Sequence, residues 1–280
     1  MDTSRYEGMA RIEGFPFPVW ASAGTEGRAR EIGKRTSQAL GWLANVFGEG
    51  RNLELAVAGR SDWERVADVP VYGMPQAFGN RVTLSPDPAE FWQEAVDLLW
   101  PDLSESTRDS LRGVYGDPPD VGGRLADLIA VHELTHLYHE YDEATGRMDF
   151  PRLWLAELFA SIGMYGYIAE EEPEQLPTVS AIARATREIR REHMPVIELR
   201  DMERTFEFGA VFYVLYQFLL IGLAERIWEG SAMGGLREFR DRLRNPEMTD
   251  AEIVATLSGI HPDASRIVRS WPDLVKTENA

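Results

Sequence analysis

Apolar positions recur along the chain at two different periods, and the change between them divides it. Phe17 to Ala21 reads as a short strand, and Leu53 to Ala58 alternates as a second one. Between them, Ile32, Leu40, Leu43 and Phe47 keep helical spacing over Glu26 to Phe47, and Gly48 and Gly50 end that run. Ser61-Asp62-Trp63-Glu64 has the form of a capped helix start. Asn80 to Ser85 reads as a strand stopped by Pro86 and Pro88, and helical patterns follow at Ala89–Leu99 and Glu105–Tyr115. Residues 116–123, Gly-Asp-Pro-Pro-Asp-Val-Gly-Gly, form the clearest linker.

Beyond the linker the period is helical throughout. Helices are predicted over Arg124–Tyr141, Leu153–Glu170, Thr178–Glu192, Phe206–Trp228, Gly235–Arg244, Asp250–Gly259 and Asp263–Trp271, with no strand among them. The expected fold class is α+β in a single domain over 1–280. It has an α/β part over about 15–120, a helix over 124–141, and a helical part over 150–275.

Composition narrows the chemistry. Lys and Arg number 29 against 46 Asp and Glu, a net charge of −17, which argues against nucleic-acid or anionic-membrane partners. Without cysteine, any zinc must be held by His and carboxylates. Met1-Asp2-Thr3-Ser4 opens no basic segment followed by an apolar run, so the expected location is cytoplasmic. Phe208 to Ala224 is apolar enough to suggest a membrane span. It contains Gln217 and lacks flanking basic anchors, and so reads as a buried helix.

The candidate chemistry lies on the first helix after the linker, in His132-Glu133-Leu134-Thr135-His136. Positions i and i+4 share a helix face, so both imidazoles reach one tetrahedral metal ion while Glu133 faces the open coordination position. Coordination through Nε2 leaves each Nδ1 to be oriented by another acceptor. The best third ligand is Glu157, 21 residues past His136 on the next helix. A lone Glu among Leu153, Ala156, Ala160 and Ser161 is costly to bury unless it is paired or metal-bound. The competing pattern H-E-x-x-H-x-x-G-x-x-H/D would place Asp142 last, but His139 occupies its glycine position. His139 could instead flank the site and hold substrate charge.

The pentad and Trp154-Leu155-Ala156-Glu157-Leu158-Phe159-Ala160 together resemble the gluzincins, zinc peptidases with H-E-x-x-H followed by a Glu on a second helix. The second segment is similar to W-L-N/S-E-G-F/L-A of the zinc aminopeptidases and of small peptidase MA-like domains. The resemblance is specific over 128–161 and weaker over 206–222; in element order it extends over about 17–245. It implies a thermolysin-like fold, one Zn²⁺ held by His132, His136 and Glu157, Glu133 as general base, and a peptide or protein substrate.

Two positions depart from the aminopeptidase pattern. Phe206, in Thr205-Phe206-Glu207-Phe208-Gly209-Ala210, stands where a Tyr would donate to the oxyanion, a loss worth about 10²–10³ in rate. Tyr213, Tyr216, Tyr165 and Tyr167 are the candidate replacements, with Tyr213 taken as the catalytic one. Gln76, in Gly73-Met74-Pro75-Gln76, stands where a Glu would pair with the substrate α-amine. The strand containing Val82 is the expected edge for an extended peptide. A peptidase-like zinc protein that binds peptides without efficient cleavage is the alternative function.

Overall fold

A computed structural model describes residues 4–139, 141–142, 147–194, 198–260 and 268. Its first half is built on a five-stranded mixed sheet of order β1-β2-β3-β5-β4. The strands are β1 (Ala10–Arg11), β2 (Val19–Ala21), β3 (Glu54–Val57), β4 (Gln76–Phe78) and β5 (Arg81–Leu84). The central trio β2, β3 and β5 is parallel, and both outer strands run antiparallel. Buried side chains alternate across β3. Leu55 and Val57 enter the main core, while Ala56 and Ala58 join a second cluster around Trp63 and Val66. The alternation over Leu53–Ala58 thus separates two buried faces rather than a buried face from an exposed one.

Helix α1 (Glu26–Phe47) follows β2, α2 (Arg60–Val66) follows β3, and α3 (Glu90–Leu99) and α4 (Glu105–Tyr115) complete this half. The α1 and α4 boundaries are those predicted from periodicity. Gly48 closes α1 in the left-handed conformation, φ 72°, which favours glycine.

Four expectations are corrected. The strand Asn80–Ser85 is not an edge: β5 lies between β3 and β4, and Val82 is fully buried opposite Leu55 and Ala77. The edge is β4, only three residues long and too short for its alternation to register in the sequence. The predicted helix 124–141 is α5, Val121–His136. It starts inside the linker, where Asp120 accepts from the Gly123 N–H, and it stops early enough for β6 (Tyr141–Asp142) to pair with β7 (Arg147–Met148). Strands therefore do occur beyond residue 124.

The fourth correction concerns the later helices. α6 (Leu153–Glu171) follows expectation, α7 spans Leu176–Thr186, and 206–244 is not two helices. A 3₁₀ helix, Leu199–Phe208, leads into one 34-residue helix, α8 (Ala210–Leu243), followed by α9 (Asp250–Ile260). Gly235, expected as the first residue of a separate helix, lies inside α8, where packing outweighs its low helix propensity. The predicted helix 263–271 and His261 lie outside the described residues, Val268 excepted.

Every side chain of α6 from Trp154 to Ile168 is buried, as expected of a helix that is apolar all round. It packs along α5 on one side and α8 on the other. Ala210–Gly230 of α8 is long and apolar enough to cross a membrane; here Leu215, Phe218, Leu219 and Leu223 are buried in the core. α1 is tied to the site helices from outside: Arg28 pairs with Asp127 of α5, and Arg35 reaches Glu172 at 2.9 Å.

The α5–α6 crossing depends on one glycine. A Cβ on Gly163 would meet Thr135 Oγ1 at 2.3 Å and Cγ2 at 2.5 Å. Gly163→Ala is therefore expected to force the helices apart and to destabilise the protein by about 1–3 kcal/mol in urea unfolding. Adding Thr135→Ala should recover part of that loss; equal stability of Gly163→Ala and the parent would contradict the close approach.

Candidate metal centre

Helices α5 and α6, which carry the candidate ligands, meet with their polar groups inside an apolar interior. His132, Glu133 and Glu157 are each only 6% exposed, and His136 is half-buried. His132 and His136 sit one turn apart on α5 and present Nε2 to the same point, 3.1 Å from each other. From α6, Glu157 Oε2 lies 3.0 Å from His132 Nε2 and 3.5 Å from His136 Nε2. Ligand bonds of 2.0–2.2 Å in a tetrahedral site imply donor separations of about 3.3–3.6 Å, and this triangle lies within a few tenths of an ångström of that. The donor set fits as well: two imidazoles and one carboxylate make a three-protein-ligand site that leaves a position open. His132, His136 and Glu157 thus form a buried group that could hold a metal ion.

The imidazoles are held from behind. His132 Nδ1 lies 3.4 Å from Ser161 Oγ of α6, and His136 Nδ1 lies 2.9 Å from His139 Nε2. Glu157 also accepts from Gln217 Nε2 at 2.7 Å. Burial alone would raise the Glu157 pKa. The charge of His136 and the hydrogen bonds from His132 and His136 more than offset it and hold the carboxyl well below its usual range.

Glu133 faces the other way in charge terms. Burial pushes its carboxyl up to about 7 and the Glu157 charge adds to the rise, while His136 and the Ala77 N–H of β4 pull it down. A carboxyl poised near neutrality suits proton transfer.

Among the candidate tyrosines, Tyr213 of α8 is the one at the cluster. It lines the cleft beside Glu157 and the inner cavity beside Gln217. Burial, with the charges of Glu157 and Glu133, keeps its pKa well above the usual tyrosine range, so it remains a donor. Phe206 is 47% exposed and stacks on the Tyr213 ring at 4.2 Å. Tyr167 donates instead to Glu172 and Tyr216 to the Glu198 carbonyl, each at a distance from the cluster.

A cleft of about 600 Å³ opens over the cluster, lined by Glu133, His136 and Glu157 and by Ala77, Phe206 and Tyr213. His139 also lines it; Gln76 and Val82 do not. Gln76 Oε1 accepts from the Asp68 and Val69 N–H groups at 2.6 and 2.8 Å, and its Nε2 donates to the Val69 and Met74 carbonyls. All four of its hydrogen-bonding positions are spent on its own loop, so the expectation that it faces substrate is corrected. Val82 is corrected too, because β5 turns it into the core.

Sequence reasoning missed Ser161 and Gln217 as supports of the cluster. Gln217 left a signal, a lone amide in an otherwise apolar run; Ser161 had none beyond its neighbours. Compared with protein-family models and with curated proteins, the chain matches none.

Purified protein is expected to hold a divalent metal in stoichiometric amount by elemental analysis. Glu157→Ala should reduce it to a trace, because the variant removes the only carboxylate of the three-donor group. Metal content unchanged in that variant would remove Glu157 from the ligand set.

Proposed function

We propose that this chain is a zinc-dependent hydrolase of the gluzincin type, with a thermolysin-like fold, that cleaves peptide bonds. The observation that carries this is the convergence of two imidazoles, a buried carboxylate and a second buried carboxyl, Glu133, at an open cleft. A structural metal site would have no use for Glu133. An antiparallel edge strand beside the pentad helix, with the third ligand on a helix of the following all-helical half, supports the thermolysin-like reading.

His132, His136 and Glu157 would hold the ion, whose chemistry when bound is to acidify a water and polarise a carbonyl. Glu133 takes the proton from the attacking water and delivers it to the leaving nitrogen. Burial serves this role, because a carboxyl near neutrality both accepts and releases a proton at working pH. Tyr213 donates toward the carbonyl oxygen as it gains charge, which supplies from α8 the hydroxyl that Phe206 lacks. Phe206 covers the Tyr213 ring and limits its contact with water. The β4 edge at Ala77 offers backbone groups to an extended substrate.

Glu133→Gln is expected to keep its zinc and to lose about 10²–10⁴ in cleavage rate on a diverse peptide library read by mass spectrometry. A zinc-loaded parent that binds peptides from the library and cleaves none would replace the hydrolase with a peptide-binding protein. Tyr213→Phe should lose about 10²–10³ in kcat with zinc content unchanged; a parent-like kcat would exclude the tyrosine as donor.

A further inference from the structure

The end of α5 places a third histidine behind the cluster. After His136 the backbone tightens, with the Leu137, Tyr138 and His139 N–H groups bonding three residues back to Leu134, Thr135 and His136. That turn lays the His139 ring edge-on to His136, with interplanar angle 81° and Nε2 at 2.9 Å from His136 Nδ1. Phe150 and Phe159 pack against the His139 ring at 5.5 and 6.4 Å and hold its plane. On its far side, His139 Nδ1 is 3.5 Å from Asp149 Oδ1, and Asp149 Oδ2 accepts from Arg244 Nε at 2.5 Å. The line of contacts therefore runs from His136 through His139 and Asp149 to the end of α8.

Metal ligation by His136 Nε2 sets the arrangement of protons between His136 and His139. His136 can offer the Nε2 lone pair to the cluster only if its proton sits on Nδ1. That proton points at a ring nitrogen, which accepts only when it carries none itself. His139 then carries its proton on Nδ1, on the side of the Asp149 carboxylate at ion-pair distance, and Arg244 fixes that carboxylate. A carbonyl or carboxylate behind His136 would accept without such help; a histidine needs Asp149 to set its tautomer.

We infer that His139 is a positioning residue for the metal centre: with Asp149 and Arg244 it fixes the tautomer and orientation of His136, and so sets metal affinity. This role is additional to the expected one of holding substrate charge. It rests on His136 being a metal ligand. Among the described residues, the partner of His132 Nδ1 is a hydroxyl, Ser161 Oγ at 3.4 Å, rather than a second imidazole.

The test is zinc affinity, measured by competition with a chromophoric chelator, for the parent, His139→Leu and His139→Gln. His139→Leu is expected to weaken zinc by about 10–100-fold. His139→Gln should restore most of that affinity, because its amide oxygen accepts from His136 and its amide nitrogen donates to Asp149. Equal affinity in all three proteins, or an equal loss in both variants, would overturn the positioning role. A parent that binds no zinc would instead remove the ligand reading itself.

Nitrogen-15 spectra of the zinc-loaded parent test the same assignment without a variant that must fold. His139 should appear neutral with its proton on Nδ1, and His136 with its proton on Nδ1. A proton on His139 Nε2 would refute the inference.

Discussion

The structure turns on the approach of two helices that together bury three donor groups in an apolar interior. Isolated charges in such surroundings carry a free-energy cost large enough to unfold a domain of ordinary stability. His132, His136 and Glu157 offset it by converging, and convergence requires that α5 and α6 touch. Gly163 against Thr135 is where they do. The long apolar flank of α6, continued by α8, supplies the burial that holds the cluster closed. Loosening this contact would affect stability and the site together.

Around that crossing, the sheet and the C-terminal helices each contribute one face of the cleft. β4 brings Ala77 to the cleft wall beside Glu133, where its N–H lowers the pKa of that carboxyl. α8 brings Gln217 and Tyr213 to Glu157 from the opposite side. Glu157 is thereby held by groups from two helices besides its own, and its charge is matched within its immediate surroundings. The strongly acidic surface plays no part in this; the electrostatics that matter are local and buried.

Several elements were legible because their pattern is local. α1, α4 and α6 follow from apolar spacing and from glycine or linker boundaries, and the pentad with Glu157 follows from helical geometry and the cost of a lone carboxylate. Others were not. β4 is too short to show alternation. α5 ends at His136, although Leu137 to Tyr141 has sequence compatible with helix, because Tyr138 stacks on Phe47 and the chain turns into a hairpin. The position of β5 inside the sheet depends on which strands pair, a long-range choice that neither strand's sequence states. Gln76 illustrates the same limit: its neighbours suggested a substrate contact, while its actual partners are the backbone groups of residues it meets only in the folded loop.

By itself, then, the chain's residue pattern determined an α/β half followed by a helical half, and a set of donors spaced to meet on adjoining helices. Periodicity and the i, i+4 repeat are properties of neighbours along the backbone, so they survive without a fold. Which tyrosine stands at the cluster, which strand is exposed, and what lies behind His136 were decided only by tertiary structure. Each joins residues far apart in sequence, such as Tyr213 with Glu157 or Asp149 with Arg244, or depends on where packing makes a helix stop, as it does for His139. Packing of the core, rather than local propensity, sets those distances.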